Sequence, residues 1–295
     1  MNKSLVILFL VLANLFWAGN YVFGQYVINE MSPIQLTFSR WLLATFLLIP
    51  IAHWIERPNW KQVWKQWKIL WTMGVLGIIS YNLLLYWALK YTTPLNAALV
   101  NSINPAVIVF FSAFLLRERI SLKNGIGLFI SLLGVLLVLT KGQLQEVLHL
   151  TYNKGDVLMI AAILVWTFYS IIGKKLKNIP PISGTSISAV LGLITLLPFV
   201  LFSEFNYQLS NQAIIGIVYI ALFPSVGSFI FWNSSLRHIN ASQAGIYLNL
   251  IAVFTAILSL ILGQTITLVQ IVGGLLVFIG VYLSSQKAKL QSTNS

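Results

Sequence analysis

Ten apolar runs dominate this chain. They fall at roughly 4–24, 33–54, 69–89, 94–116, 124–140, 156–173, 182–203, 212–234, 241–262 and 267–285. A helix that crosses a bilayer needs about 20 predominantly apolar residues, so each run has roughly the length of one crossing. The breaks carry turn and charge signals, such as Ser32-Pro33, Arg57-Pro58, Thr93-Pro94, Pro180-Pro181 and Asn206–Asn211. No break is long enough to form a separate soluble domain. Composition agrees: only 8% of the 295 residues are charged, against about a quarter in a soluble domain. The mean hydropathy is +0.86. The expected fold class is all-α integral membrane, with ten transmembrane helices. The first run continues to about Gly24 without a small-residue cleavage site, so a retained first span is expected.

The formal charge of +12 reports orientation rather than nucleic-acid binding. With the N-terminus inside, fourteen of the 18 basic residues fall on inner segments. Three (Lys90, Lys141 and Lys154) fall on outer ones, and Arg40 lies inside the second run. Cytoplasmic loops carry the excess of Lys and Arg, so both termini are expected inside, in a multi-pass cell membrane protein. A bacterial inner membrane is the expected location. The segment Asn59–Trp67 spaces Trp60, Trp64 and Trp67 on one helical face among lysines. That pattern predicts an amphipathic helix on the inner leaflet, with the bilayer as its partner. There is no cysteine, which excludes disulfides, iron–sulfur clusters and thiolate metal sites. No cofactor, metal or nucleic acid is expected. A homodimer is left open.

The chain repeats itself weakly. Trp17 and Trp166 are 149 residues apart. Pro33 and Pro50 return as Pro181 and Pro198 at an offset of 148. Gly127 and Gly134 return as Gly273 and Gly280 at 146. Ala88–Tyr91 is echoed by Ser235–His238 at 147. The expected units are residues 1–145 and 146–286, five spans each, followed by a short cytoplasmic tail at 287–295. An odd number of spans forces the two halves to insert in opposite orientations. Such inverted repeats are a hallmark of secondary transporters.

FWAGN (Phe16–Asn20), SRW (Ser39–Trp41), ALKYT (Ala88–Thr92), Asn104-Pro105 and LLRERIS (Leu115–Ser121) together resemble the drug/metabolite transporter superfamily, in the form built of two EamA-type repeats. The resemblance spans about residues 4–285. It implies a substrate cavity between the halves. It also draws attention to Pro105 and Glu118 as gating or coupling candidates. The second half departs from the pattern: Ile251-Ala252 stands where the proline would be, and Gln264 where the glutamate would be.

Ionisable groups within spans are costly and mark function by default. Arg40 is the clear case, about 10 Å into its helix at 1.5 Å per residue. It reads either as an anchor for a carboxylate or phosphate, or as an arginine that snorkels or caps carbonyls near the outer interface. Its repeat partner is Ser188. Every Asp, Glu and His falls in a loop or at a span end. Proton coupling through a buried acid and export of polyspecific cations are therefore disfavoured. For Glu118 the plain alternative is an ion pair with Arg117 or Arg119. The uncharged cavity candidates are Trp17 and Asn20 in the first span, Tyr81 and Asn82 in the third, and Asn101 and Asn104 in the fourth. In the second half they are Trp166, Tyr169, Trp232, Asn233, Tyr247 and Asn249. Each could equally serve helix packing or interhelical hydrogen bonding.

The expected function is secondary transport of a small organic metabolite by alternating access, with amino acids or similar zwitterions as the substrate class. A ligand sensor or structural membrane protein is the alternative, and a multidrug or cation exporter a lesser one. Membrane-enzyme chemistry lacks a catalytic constellation, and no P-loop marks an ATPase.

Overall fold

The computed structural model describes all residues except 119, 141, 144, 146–152, 177, 262–266 and 286–295. Among the described residues the chain is helical, without strands. Helices α1 (Lys3–Val27) and α2 (Pro33–Glu56) are followed by a one-turn helix, α3 (Trp60–Trp64). Then come α4 (Trp67–Leu89), α5 (Pro94–Leu115) and α6 (Leu122–Thr140). The second half holds α7 (Lys154–Lys175), α8 (Pro181–Leu201), α9 (Asn211–Leu236), α10 (Ala241–Ile261) and α11 (Leu268–Ser285). Eight of these are long and apolar enough to cross a membrane by themselves. With the shorter apolar pair α6 and α11 they make a ten-helix, multi-pass membrane protein.

Helix starts follow local chemistry. Ser32, Thr93 and Ser210 each accept the amide of the residue three positions on through their hydroxyl groups. Prolines occupy the first turns of α2, α5 and α8, where their missing N–H leaves no bond unmade. Asn153 and Asp156 close a reciprocal capping box at the start of α7.

Packing partners are exchanged between the halves. α1 packs on α9 and α10, while α7 packs on α4 and α5; α2 pairs with α8, α5 with α10 and α6 with α11. This reciprocity is what a two-fold axis relating the halves produces. The α6–α11 pair is built on glycine. A Cβ at Gly134 would lie 2.5 Å from the Gly273 carbonyl oxygen, and one at Gly280 would lie 2.4 Å from that of Gly127.

Irregularities also recur in both halves. α4 contains a π-helical stretch at Gly74–Ser80 and α9 one at Ala221–Ser228; the starts are 147 residues apart, the offset of the third spans. α5 breaks at Ser102-Ile103, ahead of Pro105. α10 narrows to a 3-10 turn at Tyr247–Asn249. The second-half break therefore forms without the proline whose absence marked its sequence as divergent.

The surface segment differs from expectation. α3 ends at Trp64, and Trp67 already belongs to α4. Trp60, Trp64 and Trp67 still share a shallow groove with Lys61, Lys65 and Ile187, but across a turn rather than along one helix.

Candidate functional site

Arg40 sits on α2 with 1% of its surface exposed. It does not snorkel, and it caps no carbonyl. Its Nε donates to Ser225 Oγ at 2.8 Å. Its Nη1 donates to Asn82 Oδ1 at 2.7 Å, to Asn20 Oδ1 at 3.1 Å and to the Tyr86 hydroxyl. Tyr86 in turn donates to Asn20 Oδ1 at 2.8 Å. The guanidinium carbon lies 5.6 Å from the Trp41 ring centre and 5.7 Å from that of Tyr86. All four oxygen ligands are neutral. Among the described residues no carboxylate bonds the guanidinium, and no acceptor reaches Nη2. Every described carboxylate belongs to a loop or a helix end: Glu30, Glu56, Glu118, Asp156 and Glu204. The result is a buried cation with hydrogen bonds but no counter-charge.

The partners of Arg40 are positioned by the two π stretches. Pro224 cannot donate to the carbonyl four residues back, that of Ile220. The Ser225 hydroxyl takes that carbonyl at 2.8 Å and offers its oxygen to Arg40. Asn82 does the same in α4. Its Nδ2 donates to Gly77 O at 3.1 Å and Ile78 O at 2.9 Å, which leaves its oxygen for Arg40. Arg40 thus ties together a wide helical turn from each half.

The second half carries a counterpart. Asn233 Nδ2 donates to the Tyr169 hydroxyl at 2.7 Å and to Thr185 Oγ1 at 3.0 Å. Tyr169 stands 149 residues after Asn20, and Asn233 stands 147 after Tyr86. The Asn–Tyr pair therefore recurs with its residue types exchanged. The Arg40 position is Ser188, whose buried hydroxyl has no partner.

Between the two pairs lies an aromatic cluster. Trp17 meets Trp166 edge-on at 5.0 Å and Trp232 at 5.6 Å. Trp166 packs on Tyr81 at 4.9 Å and stacks on Tyr169 at 5.0 Å. Phe229 joins Trp17, Trp41, Trp166 and Tyr169. The indole N–H groups of Trp41, Trp166 and Trp232 and Oδ1 of Asn233 are buried without partners. Unpaired buried polar atoms are costly and are expected to find partners in some state of a protein.

The structure thus gathers Trp17, Asn20, Arg40, Tyr81, Asn82, Trp166, Tyr169, Trp232 and Asn233 around one centre. Other expected residues lie apart from it. Asn101 and Asn104 on α5 bond each other at 3.2 Å. Asn249 turns to Ser131 on α6 at 2.9 Å. Tyr247 is buried on α10. Pro105 opens the second segment of α5, and Gln264 lies outside the described residues. Tyr86 and Ser225 were legible only as polar residues within spans; Pro224 was the signal for Ser225.

Glu118 bonds the start of α10. Its carboxylate accepts the amides of Ala241 and Ser242 at 2.9 and 3.0 Å and the Ser242 hydroxyl at 2.6 Å. Glu56 does the same at α8, with Ile182 N at 2.8 Å, Ser183 N at 2.7 Å and Ser183 Oγ at 2.5 Å. Helix N-termini attract carboxylates; Arg119, one of the two expected partners of Glu118, lies outside the described residues. The Glu118 and Glu56 contacts join the halves at one end, while Lys174 on the Leu236 and Ile239 carbonyls and Arg237 on that of Ile179 tie the second half together there. Glu30 joins the halves at the other. It accepts the Ser210 amide at 2.7 Å and the Ser210 hydroxyl at 2.6 Å. The hydroxyl first, then the amide, hold its carboxyl below the usual glutamate value.

Comparison with known proteins places this architecture. An "uncharacterized transporter" of Bacillus subtilis (strain 168) is 29% identical over 96% of this chain and 94% of its own length. A "probable amino-acid metabolite efflux pump" of Salmonella typhimurium is 25% identical over 91% of this chain and 90% of its own. One solved crystal structure superimposes with a TM-score of 0.75 at 19% identity, covering 98% of this chain and 99% of that one. The EamA-like transporter family matches twice, over residues 4–140 and 153–286. This chain, a multi-pass membrane transporter, belongs to the EamA-like transporter family.

Proposed function

We propose that the protein is a secondary transporter of small organic solutes that carry a carboxylate, amino acids and similar zwitterions foremost, and that it works by alternating access between two inverted halves. The observation that carries this reading is Arg40. A buried guanidinium with four neutral ligands and a free Nη2 lacks one charge. A substrate carboxylate at Nη2 supplies that charge through a charge-assisted hydrogen bond. The adjoining indole and phenol rings suit the rest of an amino acid, and their faces attract its ammonium. The name of the Salmonella relative, a probable amino-acid metabolite efflux pump, points the same way.

Comparing metabolites in medium and cells tests this reading, with cells that lack the protein set against cells that overproduce it. The expected result is a reciprocal change in a few related carboxylate-bearing solutes, absent when Arg40→Lys is overproduced. A change confined to cations, or no reproducible change, contradicts it. Saturable ligand binding without any change in solutes would support a sensor instead.

A further inference from the structure

The carboxylate contacts between the halves are unequal at the two ends, and the repeat identifies what is missing. Glu56 ends α2 and holds the amides of Ile182 and Ser183 in the first turn of α8. At the offset of 148 that relates α2 to α8, Glu56 becomes Glu204, while Ile182 and Ser183 become Ile34 and Gln35. Glu204 is exposed just beyond the end of α8. Ile34 and Gln35 open α2, where Ser32 alone caps the Gln35 amide. The two segments already touch. Gln35 Nε2 donates to Asn206 O at 2.7 Å, and Asn206 N donates back to Gln35 Oε1 at 3.1 Å.

We propose that Glu204 is the second member of an alternating pair of latches. When the end held by Glu56 opens, the Glu204 carboxylate takes the Ile34 and Gln35 amides and adds to the Glu30 contact that already holds the opposite end. The inference rests on the alternating-access reading and adds a residue to it. The other latch has no such partner. Glu118 holds Ala241 and Ser242, whose counterparts at 147 are Pro94, which has no N–H, and Leu95. In the state described here, among the described residues, two carboxylates, Glu56 and Glu118, hold one end, and Glu30 alone holds the other.

The chain has no cysteine, so paired spin labels report each end without background. Lys61→Cys with Asn178→Cys spans the Glu56 end. Tyr91→Cys with Tyr207→Cys spans the Glu204 end; all four positions are exposed. Label distances are measured by pulsed electron resonance in lipid nanodiscs. Glu56→Gln is expected to populate a second state, with the first pair farther apart and the second pair closer. Adding Glu204→Gln should cut that population by about tenfold, as expected for losing a charge-assisted pair of hydrogen bonds. Glu204 is exposed, so its replacement should leave thermal stability unchanged, which separates latch from scaffold. An unchanged second-state population after Glu204→Gln overturns the proposal and leaves alternating access standing. If Glu56→Gln combined with Glu118→Gln reveals no second state, alternating access fails, and the latch pair with it.

Discussion

A guanidinium that is 1% exposed among apolar helices is stable only if its surroundings are built for it. Asn82 carries the most of that burden, since it serves Arg40 and two carbonyls of the α4 π stretch at once. Asn82→Leu should therefore cost about 1–3 kcal/mol of stability, more than the loss of an average hydrogen bond, because it leaves buried acceptors and a charge underserved. Thermal unfolding in detergent checks this, and an unchanged midpoint would mean that Asn82 only fills space. Glu30 gives a pH dependence. Its carboxyl is held below the usual value of 4.5 in the folded protein by Ser210. Its stabilising contacts are therefore fully present above that value and are lost as the pH falls below it, through the lower folded value. Thermal stability of the native protein should exceed that of Glu30→Ala at neutral pH, and the gap should shrink on titration below pH 4.5. At this scale the sequence reading went as far as spacing allows. Arg40 stood out because one charge in an apolar run is conspicuous. Tyr86 and Ser225 did not, because the polar residues of ten spans look alike until packing sorts them. Asn101, Asn104 and Asn249 had the same signature and proved to bond elsewhere.

At the scale of the element, length and period placed all ten helices within a few residues, while only those internal irregularities marked by a proline, in α5 and α9, could be read. A π stretch needs one extra residue per turn, and nothing in Gly74–Ser80 announces it. Pro224 announces the one in α9. The break in α10 has no proline at all, so tertiary packing must impose it. The glycines of α6 and α11 were readable as close-packing positions, and the distances divide them into two kinds. Gly280→Ala would force a Cβ to 2.4 Å from the Gly127 oxygen. It should separate the pair at a cost of about 1–3 kcal/mol, the usual range for overpacking. Gly125 meets nothing within 4 Å. Gly125→Ala should instead be neutral or stabilising, by up to about 1 kcal/mol, because alanine loses less backbone entropy in a helix. Thermal unfolding of the two variants side by side checks the sign of each.

At the scale of the whole molecule, internal repetition was the most informative feature. Offsets of 146 to 149 residues, visible in a few Trp, Pro and Gly positions, pointed to two inverted halves; the exchanged pairing of α1 with α9 and of α7 with α4 came from the packing. The offsets set Ser188 opposite Arg40 but did not anticipate the mirrored Asn–Tyr pairs, one bonded to a guanidinium and the other to Thr185. That inequality bears on function: a symmetric scaffold carries one charge at its centre, on one side of the pseudo-axis. The central claim is that this charge selects a carboxylate. Its most direct test is counterflow into liposomes holding the purified protein, preloaded with a mixture of the common amino acids. Radiolabelled amino acids should exchange saturably, their decarboxylated amines should not, and Arg40→Lys should lose at least about tenfold in rate, because an ammonium cannot hold the Asn20, Asn82, Tyr86 and Ser225 oxygens and still reach the substrate as the planar guanidinium does. Equal exchange of an amino acid and its amine, or an Arg40→Lys protein as fast as the original, would contradict the account.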